Sequence, residues 1–160
     1  MADGFALEVV TPDRPLIEET AEALVLRTTE GDMTVLDGHT SLVASVTPGI
    51  VRIEVVDAEP VRLAVHGGFL QVDTGPEEES EGPSGLTTRV TLLAGVAELA
   101  SEVDVERARR AKEAAEVRLG EARPERVEED NRAESVEETE AAAALARAEL
   151  RLEAAGESPS

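Results

Sequence analysis

Very few side chains in this sequence are spaced for catalysis. His39 and His66 lie 27 residues apart, and the chain contains no cysteine. Two imidazoles without a third ligand make a poor metal site, so a structural role is expected for both. Gly38-His39-Thr40-Ser41 does not spell a GxSxG nucleophile elbow, and neither histidine has an obvious nucleophile beside it in sequence. There is no GxxxxGK[ST] loop to cradle phosphates and no GxGxxG after a strand. Adjacent acids such as Glu18-Glu19 are too numerous for any pair to stand out as a glycosidase couple. The chain therefore reads as non-catalytic. His39 reads first as a loop residue bonded to nearby backbone, and second as a contact to a partner.

The elements that would position these residues change character along the chain. From Phe5 to Leu99 the apolar pattern has period two. Phe5, Leu7 and Val9, then Leu24 and Leu26, then Val51, Ile53 and Val55 each face one way, as do Val61, Leu63 and Val65 and then Leu70 and Val72. Turn signals separate the runs: Glu30-Gly31-Asp32, Asp37-Gly38-His39, Thr47-Pro48-Gly49 and Gly67-Gly68. Asp-Gly between apolar runs favours tight reversals, because glycine accepts positive φ without steric cost. Short strands at this spacing predict an antiparallel β-sandwich over residues 1–100. With only Phe5 and Phe69 as aromatics, its core must be built from Val, Leu and Ile. Residues 74–89, TGPEEESEGPSGLTTR, predict a solvated insertion loop.

From Ser101 the period becomes helical. Val105, Ala108, Ala111, Ala115 and Leu119 fall three or four apart, on one face, and Ser101 with Asp104 has the spacing of a capping box. A polar linker is expected over residues 120–134. A second helix is expected from Ser135, with Glu138 completing another capping box. Its stripe is Ala141, Leu145, Ala148 and Leu152, and Gly156 is placed to end it before a disordered tail over residues 157–160. The two make an α-helical hairpin over residues 101–156, giving an α+β chain of segregated domains. Alanine stripes bury little area, so the hairpin should be held weakly, as a detachable element requires.

The formal charge is −20, with acids outnumbering bases 18 to 5 in residues 1–100 and 17 to 10 in residues 101–160. Such a surface repels nucleic acid and anionic lipid headgroups, so any membrane association should pass through another protein. No apolar run reaches the roughly 18 residues that span a bilayer, and direct membrane insertion is not expected.

The wording of residues 30–53, EGDMTVLDGHTSLVASVTPGIVRI, resembles the amino-terminal domain of the epsilon subunit of F-type ATP synthases, which reads EGxxxxLPGHxPLxxxLxPGxxxI. Asp37 and Ser41 stand where that family has prolines. Three further blocks follow in family order: residues 64–72 around Gly67-Gly68, residues 90–100 (VTLLAGVAELA), and Val103 to Lys112, similar to [IL]DxxRAxxAK. The resemblance implies a non-catalytic central-stalk subunit whose sandwich sits against gamma and the c-ring. Its helical hairpin would reach the alpha and beta subunits and restrain ATP hydrolysis. The complex would lie at the cytoplasmic side of the cell membrane. It also implies that Glu30, Asp32 and His39 contact the c-ring or gamma. A regulatory ATP site is implied at Asp104 and Arg107, with Glu98 shortly before them and Arg147 and Arg151 on the second helix. Arg147 and Arg151, one turn apart, can meet a phosphate chain together. Ala114 occupies a position that is basic in the ATP-binding pattern, which removes one phosphate partner. No other cofactor is expected. The rival reading is an acidic β-sandwich adaptor whose helical tail docks on an unrelated partner.

Overall fold

The computed structural model describes residues 4–75, 87–122 and 136–157. The chain divides into two compact units, Met1–Ser101 and Glu102–Ser160. Among the described residues the first holds nine strands: β1 Phe5–Val10, β2 Pro15–Thr28, β3 Gly31–Leu36, β4 Leu42–Val46, β5 Gly49–Val55, β6 Val61–Val65, β7 Gly68–Gly75, β8 Thr87–Ala94 and β9 Ala97–Leu99.

The 14-residue β2 organises the sandwich. Its first half pairs with β1, and its second half lies between β3 and β5, with the register shifting between Ala21 and Ala23. Such an irregularity lets a long strand bend from one layer into the other. One layer continues β1–β8–β7–β4, with β1 and β8 parallel, and the other continues β5–β6–β9. The period-two residues fill the space between them: Phe5, Leu7, Val9, Leu24, Leu26, Val51, Ile53, Leu63, Val65, Leu70 and Val72 are all buried. This is the expected α+β arrangement, with sheet first and two helices after it.

The expected insertion loop is too wide at both ends. Thr74 and Gly75 belong to β7, and Thr87, Thr88 and Arg89 open β8, paired Thr74↔Thr88 and Asp73↔Arg89. β-Branched threonines opposed across strands, beside an Asp–Arg pair, extend the ladder that the surrounding Pro, Gly and Glu obscured. The rest of that loop, residues 76–86, lies outside the described residues.

The second unit holds α1, Val105–Ala122, and α2, Val136–Ala154. Asp104 alone caps α1: its Oδ1 accepts the Arg107 N–H at 2.9 Å. Ser101 is not the cap, since it sits in a short 3-10 turn over Ala100–Glu102. Helix α1 also runs through Gly120 to Ala122, where a linker was expected. A single exposed glycine costs about 1 kcal/mol relative to alanine and does not by itself stop a helix. At the end of α2, Gly156 has φ +82°, its N–H donates to Glu153 O at 3.0 Å, and Glu157 N–H donates to Leu152 O at 2.9 Å. That is the Schellman pattern the glycine foretold, and it brings Glu157 into ordered structure. The linker over residues 123–134, Ser135 and residues 158–160 lie outside the described residues.

The seam of α1 differs from the expected stripe at one place. Ala108 and Ala115 are buried, but Ala111 is exposed and Lys112 takes the seam position between them. The i, i+4, i+7 spacing of residues 108, 112 and 115 keeps them on one face, and a lysine stem can cover apolar surface while its ammonium finds carboxylates. On α2, Ala141, Ala148 and Leu152 are buried and Leu145 half-buried; Leu150 and Ala154 are buried too, but they lie about half a turn round the helix from that stripe.

Candidate interaction surfaces

Glu30, Asp32 and His39 do not form one site. Glu30 and Asp32 lie at the start of β3 and His39 beyond its end, so the six-residue strand holds them roughly 20 Å apart. At the first end, Thr28 Oγ1 donates to Gly31 O at 3.0 Å and accepts the Glu30 N–H at 3.2 Å, while Gly31 takes φ +125°. Thr29 N–H and Thr47 N–H reach Ser45 O and Arg27 O, which ties this turn to the end of β4. Glu30 is left exposed at the tip.

Asp32 is engaged across the hairpin. Arg27 Nε and Nη2 lie 2.7 and 3.3 Å from its two carboxylate oxygens, and the two residues are register partners. Hydrogen bonding from Arg27, then its charge, holds the Asp32 carboxyl below its ordinary value of 3.8. Because the folded value is depressed, the pair contributes stability above the unfolded pKa and loses it as pH falls through the folded one. Both side chains are well exposed, so the gain is small. Arg27→Gln is expected to return the Asp32 titration, followed by carboxyl NMR shifts, to the ordinary carboxylate range. An unmoved Asp32 would remove the pair from the account.

At the other end of β3, His39 N–H donates to Leu36 O at 3.1 Å across Asp37-Gly38, with Gly38 at φ +76°. Positive φ at the third residue is the type II turn pattern, in which proline is the common second residue. Asp37 fills that place here. Gly38 N–H donates to Thr88 Oγ1 at 2.8 Å, Thr74 N–H to Ser41 Oγ at 2.9 Å, and Thr74 Oγ1 to His39 O. Ser41, in place of the second family proline, thus helps fasten the loop to β7. The His39 Nδ1–H donates to Thr40 O at 2.9 Å. The imidazole is a loop brace, as its first reading had it.

Sequence reasoning passed over the surface that stands out most in the structure. Phe69, Leu93 and Val10 lie side by side in register on β7, β8 and β1, on the outer face of their layer. Phe69 is 57% and Leu93 47% exposed, and Val43, opposite Gln71 on β4, is 72% exposed. A cavity of about 420 Å³ lies further along the same layer against Glu8, Glu18 and Arg89, and one of about 560 Å³ against Val10, Pro12, Phe69 and Leu93. Monomeric proteins rarely leave apolar side chains so clustered unless something covers them. The clue was available: Phe69 follows Gly67-Gly68 and alternates with buried Leu70, so it had to face outward.

The possible ATP ligands divide between the two units. Glu98 is half-buried on β9, opposite Ala64, whereas the other four belong to the helices. Asp104 caps α1, with Arg107 exposed beyond it. Arg109–Glu157 and Lys112–Glu149 contacts set the antiparallel register of α1 and α2. Arg151 therefore falls at the same end of the hairpin as Arg107, and Arg147 about 6 Å further along.

Residues 4–76 match the family described as ATP synthase, Delta/Epsilon chain, beta-sandwich domain. Over 157 residues the chain is 36% identical to the ATP synthase epsilon chain of Symbiobacterium thermophilum, covering 98% of this chain and 95% of that one. It is 39% identical to the epsilon chain of Alkalihalophilus pseudofirmus over 76% of its length and 81% of the relative's. A chain in the Euglena gracilis mitochondrial ATP synthase, OSCP/F1/c-ring structure superposes with TM-score 0.68 and 26% identity, covering 97% of this chain and 82% of that one. The chain belongs to the ATP synthase epsilon-chain family. It is a non-catalytic stalk subunit of a membrane-associated complex. Among the described residues no helix is long and apolar enough to cross a membrane.

Proposed function

We propose that the sandwich docks on the gamma subunit through the Val10–Leu93–Phe69 row and its neighbour Val43, and that the Glu30 turn meets the c-ring. Rotation of the ring would then pass to gamma through a rigid β-sandwich, at the cytoplasmic face of the cell membrane. The observation that carries this reading is the in-register apolar row on three adjacent strands, exposed in the isolated chain. The absence of native cysteine makes a direct test available. A photo-cross-linker on a Val43→Cys variant, assembled into the complex, is expected to capture gamma. Adducts confined to other subunits would overturn the reading.

The hairpin is the regulatory element in this proposal. Extended, it would present Arg107, Arg109, Arg110, Lys112 and Arg118 of α1 to an acidic segment of the beta subunit. Exposed ion pairs contribute roughly 0–1 kcal/mol each, so the restraint on hydrolysis should be modest and salt-sensitive. Deleting residues 131–160 is expected to raise ATP hydrolysis by the assembled complex, and unchanged hydrolysis would count against restraint. ATP bound on the folded hairpin would oppose extension, since a ligand shifts an equilibrium by its differential affinity. The shared end of Arg107 and Arg151 supports such a site, whereas Ala114 and the capping duty of Asp104 weaken it. Calorimetric titration with ATP beside Arg107→Ala decides: no heat at millimolar ATP, or identical binding by the variant, removes the sensor.

A further inference from the structure

We propose that Lys112 is a gated acylation site: the closed hairpin shields its ammonium, opening exposes it, and an acyl group on Nζ then keeps the helices apart. This rests on the hairpin opening proposed above. Lys112 is the sole lysine among 15 basic residues. Its side chain is 12% exposed, against 50% for Arg109 three residues earlier. Nζ lies 3.8 Å from Glu116 Oε1 on its own helix and 4.0 Å from Glu149 Oε1 on α2.

The rest of the seam explains why this one charge matters. Its buried positions include Ala108 and Ala115 on α1 and Ala141 and Ala148 on α2, and alanine buries little area. The lysine stem therefore adds to what half-buried Val105 and Leu119 contribute from α1. The charges are also unequal: α1 carries five basic and four acidic residues, α2 two basic and five acidic. Closure sets the more basic helix against the more acidic one, and Lys112 lies where they meet.

An acyl phosphate supplies the group without any redox change. The exposed ammonium first gives one proton to solvent; the neutral amine Nζ then attacks the carbonyl carbon and an N–C bond forms. The C–O bond to phosphate breaks, inorganic phosphate leaves with the electron pair, and the proton from nitrogen passes to solvent. The product is neutral and bulkier. It removes the cation beside Glu149 and Glu116, and it does not fit a position already shielded on most sides.

The full-length chain is treated with acetyl phosphate and acetylation is located by mass spectrometry. Ala111→Lys provides an exposed lysine on the adjacent residue as a reference within the same protein. Position 112 is expected to react at least about tenfold more slowly than position 111, and Glu149→Gln should narrow that gap several-fold. In amide hydrogen exchange, α2 of the acetylated chain should exchange about tenfold faster than in the unmodified chain. Equal rates at the two positions, no response to Glu149→Gln, or acetylation without faster exchange in α2 would each overturn the site while leaving hairpin opening intact. If α2 exchanges as slowly as the sandwich core and Lys112 never reacts, hairpin opening fails and the gated site fails with it.

Discussion

Gly68→Ala is expected to lower the melting temperature of the chain by more than about 10 °C, the largest effect of any single methyl group in the sandwich. A Cβ at Gly68 would lie 2.0 Å from the Leu93 carbonyl oxygen and 3.0 Å from the Ala94 Cα, and φ there is +154°. Both neighbours are backbone in a paired strand, so neither can move without breaking the β7–β8 ladder. Clash and backbone strain together should cost about 3 kcal/mol or more, and each kcal/mol moves the midpoint by about 4–8 °C in a domain of this size. Gly95→Ala is the control, since nothing lies within 4 Å of its Cβ. Thermal unfolding followed by circular dichroism checks both. A Gly68→Ala midpoint within a few degrees of wild type would mean that β7 and β8 do not approach as described.

Phe69→Asp is expected to weaken binding to gamma at least about 30-fold while leaving the fold intact. Phe69 is largely exposed, so its loss removes no core contact. At the centre of an interface, however, a large aromatic side chain typically carries 2 kcal/mol or more of the binding energy, about 30-fold in affinity. Leu36→Asp makes a matched control, because Leu36 is 52% exposed and lies on the edge strand of the other layer. Equal losses from the two substitutions would show that added charge, rather than the Val10–Leu93–Phe69 row, weakens the complex. The glycine result bears on this one: Gly68 sets the close β7–β8 approach that puts Phe69 directly beside Leu93.

Much of this was written in the pattern of side chains. Alternation of Val, Leu and Ile with polar residues placed the inward faces of the strands, because a half-buried strand has little other way to satisfy both sides. Gly156 announced the end of α2, since few residues but glycine sit comfortably at φ +82°. What the sequence concealed was long-range. The parallel β1–β8 pairing joins residues more than 80 apart, and the bend in β2 has no local marker. Lys112 reads as an exposed cation until the neighbouring helix shows that the seam runs through it. Arg27 and Asp32 become partners only once the hairpin places them opposite each other. The resemblance groups Glu30 and His39 as one contact, yet the strand between their two turns assigns each to its own end of the sandwich. Phe69 was missed because an aromatic residue in a β-rich chain is first assumed to be core.

The central claim is that the exposed apolar row is the seat of gamma. Titrating the full-length chain into the isolated gamma subunit by calorimetry at several temperatures tests it most directly. Saturable one-to-one binding with a clearly negative heat-capacity change, the mark of apolar surface leaving water, is expected. The absence of saturable heat at concentrations of about 10 μM, or binding whose heat does not change with temperature, would contradict it.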